Sequence, residues 1–307
     1  MTVRLSPSAW CLIGALSLST LAPSAMAQTA AVATAAAPMR LLVAHPVVAA
    51  LTTTLVRDTG IVVLRPVPQT LPAGRQLAFF SGRGAAGLGE AARQADAVVA
   101  LRSIWPDDPL FPLARRHNIR LIEIDAARPL DASLPGIALQ EQGASANALP
   151  WLDPVNLGRM ADVIAADVAR LVPSAQTRLQ ANATTLRQAL LGITAQSEAR
   201  LARASNVTVF SLSDRLDYVV SGFNLDLAGS AVREDDAWTR EALAALTQQL
   251  RSASVAAVLH HREPPPALAQ AVQQSGARSI VLMTEGVDPL AELKENAQRL
   301  GVLAAPL

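Results

Sequence analysis

The sequence predicts an α/β protein, with two lobes of mainly parallel sheet joined by one long backbone helix. Three observations predict it. Short apolar runs alternate with helix-like stretches in the first half, the last third repeats that order, and an amphipathic pattern of about 30 residues lies between them.

In the first half the expected strands are Leu41–Ala44, Ile61–Leu64, Ala97–Leu101 and Ile119–Ile124. Helix-like stretches fall at Val47–Arg57, Ala85–Gln94 and Leu110–Arg116. Strand, helix, strand in that order, with apolar and β-branched runs, is the grammar of a parallel sheet covered on both faces.

The middle changes character. Asp153 is placed to cap a helix whose first turn holds Pro154. Leu157, Met160, Ala161, Ile164, Val168 and Leu171 then recur at helical spacing. After Pro173 a second pattern runs to about Ala204, with its stripe on Leu179, Ala183, Leu186, Leu190, Ile193 and Leu201. Roughly 30 residues at 1.5 Å each span roughly 45 Å, long enough for a rod joining two lobes.

The last third offers strands at Val207–Leu212, Val255–Leu259 and Ser279–Met283. Its helices fit Leu216–Phe223, Trp238–Ser252, Ala267–Ser275 and Pro289–Leu300. The expected organisation is a signal peptide over 1–27, an N-terminal lobe over 28–172, a linker helix over 173–204 and a C-terminal lobe over 205–307.

The first residues set the compartment. Arg4 precedes an apolar run, Trp10 to Ala22, that is short for a membrane span. Ala25-Met26-Ala27 matches the small-x-small cleavage pattern, so a periplasmic chain starting at Gln28 is expected. The single cysteine, Cys11, leaves with that segment, which excludes disulfides and thiolate metal sites. Losing Arg4 leaves 25 basic residues against 25 acidic ones, so the mature chain has no electrostatic footprint for nucleic acid or an anionic membrane.

Three stretches carry a resemblance. Trp151-Leu152-Asp153-Pro154-Val155-Asn156 resembles the WLDP-x-N segment of the zinc/manganese-binding solute-binding proteins of ABC importers. Ala95-Asp96-Ala97-Val98-Val99 resembles their ADLVV strand. The run from Val258 through Pro266 to Leu282 resembles their strand–helix–strand ending. The resemblance implies two α/β lobes joined by a rigid helix with small hinge motion, cargo held in the interlobe cleft, and an ABC permease in the inner membrane as partner. It also implies a monomer with no resident cofactor, zinc or manganese being possible cargo.

Family members hold the ion with three histidines and a carboxylate, ligand types that suit zinc and manganese. Carried over one position at a time, those ligands fall on Phe80, Leu149, Ser213 and Met283. Phe, Leu, Ser and Met offer a divalent ion little in exchange for its hydration shell. The chain is therefore expected to be a divergent member lacking the classical site, and its solute is unknown.

Two alternatives stand beside this reading: a non-transport periplasmic interaction protein, and zinc or manganese binding retained through relocated ligands. His45 ends the first strand, His261 ends a C-lobe strand, and Glu285 ends the neighbouring one. Alternation along a strand allows at most one of His260 and His261 to face the cleft. His117 is expected outside. The Gly-rich loop Ser81–Gly87, with Arg83, could wrap an anion ahead of a helix start, against the plainer reading of a flexible loop. No enzyme motif is present, and a Ser213, Asp214 and His261 trio has almost no specificity, so no enzymatic activity is expected.

Overall fold

The computed structural model describes residues 37–131, 134–139 and 149–305. The expected signal peptide and its cleavage site lie outside the described residues. Residues 38–307 form one compact unit.

In the first lobe the order is β1 (Arg40–Val43), α1 (Pro46–Leu55), β2 (Val62–Leu64), α2 (Gln76–Phe80), α3 (Ala85–Gln94), β3 (Ala97–Ala100), α4 (Leu110–Arg115) and β4 (Ile122–Asp125). The sheet runs β2-β1-β3-β4, all parallel. Period-2 alternation assigns its two faces. Leu41, Val43, Ala97 and Val99 point toward a core that continues into the second lobe. Leu42, Ala44, Val98 and Ala100 point the other way, onto an outer cluster with Leu88, Ala92 and Leu110.

Next come α5 (Pro154–Leu171) and α6 (Gln176–Leu201). Asp153 caps α5 by accepting the Val155 N–H at 2.7 Å, and Pro154 sits in its first turn. The 26 residues of α6 give a rod of about 39 Å. Its stripe of Leu179, Ala183, Leu186, Leu190 and Leu201 is buried in the shared core. Asn182, on the same helix, donates to the backbone oxygens of Leu55, the last residue of α1, and Arg57 just beyond it. The predicted strap is thus present, six residues shorter than the expected 173–204 because a 3-10 turn at Pro173–Ala175 precedes it and a turn ends it at Leu201.

The second lobe holds β5 (Thr208–Ser211), α7 (Asp217–Gly222), β6 (Asp226–Ser230), α8 (Arg240–Ser252), β7 (Ala257–His260), α9 (Pro266–Ser275), β8 (Arg278–Val281) and α10 (Pro289–Leu300). Its all-parallel order, β6-β5-β7-β8, repeats that of the first lobe. Val209, Ala257, Leu259 and Ile280 face the shared core, while Phe210 and Val258 face α8 and α9.

Two elements escaped the sequence reading. β6 is an edge strand of Asp, Leu, Ala, Gly and Ser with every residue at least partly exposed, so it lacks the apolar run that marks a buried parallel strand. α2 is a five-residue helix, too short to show a period. The strand expected from Ile119 begins at Ile122 instead, and Ile119 is exposed.

Candidate functional site

The lobes meet where strands end. His45 follows β1 and is 6% exposed. Its ring packs edge-on against Trp105 at 5.7 Å and against Trp151 at 5.0 Å between centroids. Burial, with the Arg65 guanidinium adding to it, pushes the imidazole down to about 3. His45 is therefore neutral at physiological pH. Neither its Nδ1 nor the Trp151 Nε1 has a hydrogen-bond partner among the described residues.

From the other lobe, the loop after β8 reaches this place. Gly286 has φ +72°, and a Cβ built on it would lie 2.5 Å from the Val47 Cγ2 and 3.7 Å from the Trp151 Nε1. Its N–H donates to both oxygens of the buried Glu292 at 2.8 Å. Burial raises the Glu292 carboxyl above the usual range, although the Gly286 N–H pulls the other way. Asn296 clamps the start of the same loop, accepting the Met283 N–H at 2.8 Å and donating to its oxygen at 3.0 Å. A second approach lies at the end of α7, where a Cβ on Gly222 would be 3.0 Å from the Asp153 Cα.

Of the positions singled out by the resemblance, Phe80, Leu149 and Ser213 are packed or hydrogen-bonded. Phe80 is 3% exposed in the outer cluster of the first lobe, edge-on to Phe79. Leu149 is half-buried against the shared core. Ser213 is 1% exposed, and its Oγ accepts the Arg215 N–H at 3.2 Å while its backbone oxygen accepts the Ser211 hydroxyl. Met283 is 36% exposed, with its backbone held by Asn296.

Of the relocated trio, His261 feels the charge of Glu285, which pulls its imidazole upward. Burial, helped by Arg215 and Arg262, still leaves His261 below the usual histidine range. His45 does not join them. Among the described residues no three His, Cys, Asp or Glu side chains are grouped to hold a metal ion.

His260, the last residue of β7, and His261 both line one cavity of the second lobe. The Gly-rich loop is a packed turn: Arg83 lies over the Phe79 ring at 5.3 Å, and a Cβ on Gly84 would be 2.2 Å from that ring. Close packing accounts for Gly84 alone, since Gly87 has open space around it. His117 is exposed beside Gly89, as expected.

Paired four-stranded parallel sheets meeting at strand ends under a strap of helices can be compared directly with known proteins. A family model described as zinc-uptake complex component A, periplasmic (ZnuA), matches residues 91–300. The chain belongs to this family. The family is periplasmic and is the solute-binding part of a transport system, not an enzyme family. Among solved structures, a mutant of FpvC from Pseudomonas aeruginosa matches with TM-score 0.67 at 17% identity, over 87% of this chain and 99% of that one. FpvC in complex with Mn2+ matches with TM-score 0.63 at 16% identity, over 87% and 98%. A periplasmic metal binding protein from Candidatus Liberibacter asiaticus matches with TM-score 0.65 at 11% identity, over 87% and 99%. At these identities the likeness is one of fold. No match was found among curated protein sequences. No helix among the described residues of this ZnuA-family chain is long and apolar enough to cross a membrane.

Proposed function

We propose that this ZnuA-family chain is the exported solute-binding component of a metal-type ABC importer, working without the classical three-histidine, one-carboxylate site. The observation that carries this reading is the state of the carried-over positions. Phe80 serves the outer core of the first lobe, and Ser213 has its hydroxyl committed to a turn. Leu149 and Met283 carry no hard or borderline donor for zinc or manganese. The permease in the inner membrane is the partner, and cleavage after Ala27 belongs to the same reading.

One observation favours a second reading. The Glu285 charge acts on the His261 imidazole, so a weak zinc or manganese site could use both. Thermal midpoints of the stripped mature chain, with and without each metal, separate the two. Ligand at a hundredfold over its Kd adds about 2.7 kcal/mol of stability. The leading reading expects no shift. A shift lost in a His261→Ala, Glu285→Ala double variant supports the second.

A further inference from the structure

In the second lobe the chain runs from β5 to β6 on one side, then crosses to β7 on the other. The crevice outside the carboxyl ends at such a reversal is where open parallel sheets take ligands. A cavity of about 490 Å³ lies there, within the size range of small-molecule sites, and its lining comes from the second lobe alone.

Its chemistry follows a pattern. Each of the three loops brings adjacent opposite charges: Asp214 and Arg215 after β5, Arg233 and Glu234 after β6, Arg262 and Glu263 after β7. One cross-loop pair is made, Arg262 to Asp235 at 3.1 and 2.8 Å. Arg233 lies over the Trp238 ring at 5.5 Å, which holds its guanidinium in place. Among the described residues Arg215, Arg233, Glu234 and Glu263 have no ion-pair partner. At the end of β7 His260 is 4% exposed, lines the cavity, and leaves its Nε2 without a hydrogen-bond partner.

A bare anion would meet the carboxylates, and a bare cation the guanidiniums. We propose that this cavity binds a small zwitterion of the α-amino-acid class, its carboxylate against Arg215 and Arg233 and its ammonium against Glu234 and Glu263. Arginine suits the carboxylate because its fork donates two parallel bonds. Trp238 and Leu212 give the cavity apolar wall for a side chain. The proposal goes beyond the transport reading and does not depend on whether the interlobe cleft holds metal.

The test is the thermal midpoint of the mature full chain with each common α-amino acid in turn at about 10 mM, a hundredfold over a Kd of about 0.1 mM. At least one should raise Tm by roughly 5 °C. The best one is then titrated calorimetrically against Arg215→Gln and Glu263→Gln, both exposed side chains, with circular dichroism checking that each variant is folded. Each variant should bind about tenfold more weakly or worse. The N-acetyl and the carboxamide derivatives of that amino acid should be weakened similarly, each having lost one charge. No Tm rise with any amino acid would overturn the proposal. So would equal binding by a derivative lacking one charge, or by both variants.

Discussion

Gly286 of the second lobe rests against Val47 of the first, so closely that a single methyl on the glycine would overlap the valine Cγ2 at 2.5 Å. The lobes touch through backbone at that point, and α10 fixes the contact. Glu292 and Asn296, one turn apart on that helix, hold the loop from Met283 to Gly286 by its backbone groups. Together with one core running through both lobes and the α6 strap, this contact favours small hinge motion between lobes.

Replacing Gly286 with alanine should destabilise the protein by about 1 to 3 kcal/mol, from the positive φ and the overlap together. Adding Val47→Ala should recover the overlap part only. Urea unfolding of the two single variants and the double variant gives the coupling. Strict additivity would place the two residues out of contact.

His45 has a folded-state imidazole lowered to about 3, against an unfolded value near 6.5. A lowered histidine contributes stability that is present above the unfolded value and is lost as pH falls toward the folded one. Between pH 7 and about 4.5 the wild type should lose about 2 to 3 kcal/mol through this residue. His45→Phe keeps a ring between Trp105 and Trp151 and should remove that part of the loss. Unfolding curves at the two pH values check it, and an unchanged slope would rule His45 out as the cause.

Glu292 titrates in the opposite sense. Its carboxyl is raised in the fold, so its contribution is present at low pH and is lost as pH rises through the raised value. Glu292→Gln keeps an acceptor for the Gly286 N–H and cannot ionise. Relative to wild type, the variant should gain stability steadily as pH rises above the usual carboxylate range. A constant difference across pH would show that the carboxyl does not titrate differently in the fold.

Asn182 joins the strap helix to the first lobe through donors 2.7 and 2.9 Å from the Leu55 and Arg57 oxygens. Truncation to alanine should cost about 1 to 2 kcal/mol, because it leaves backbone acceptors to find other partners. Thermal melts measure it. A loss near zero would mean that α6 is held by its apolar stripe alone.

Much of this fold was legible in residue pattern. β1 and β3 are buried on both faces, so Leu41-Leu42-Val43 and Ala97-Val98-Val99 read as unbroken apolar runs. Asp153 and Pro154 announced the start of α5 by their own chemistry. β6 stayed hidden because an edge strand can be polar, and only its pairing with β5 defines it. The site was less legible for a related reason. Which groups meet depends on lobe packing, which has no local period in the chain. His45 at a strand end gave no sign that two tryptophans distant in sequence would enclose it. Gly286 had a weak signal in its glycine, but nothing in the sequence pointed to Val47 as its neighbour. The alternating charges after β5, β6 and β7 were visible as dipeptides, and only the sheet order brings them to one cavity.

The proposed function requires that this ZnuA-family chain does not capture zinc or manganese by a classical tight site. Equilibrium dialysis of the stripped mature protein against about 1 µM of each metal, followed by elemental analysis, tests it most directly, since a Kd of 1 nM would leave such a site filled. Far less than one bound ion per chain is expected, unchanged in His261→Ala. One tightly bound zinc or manganese per chain would contradict it.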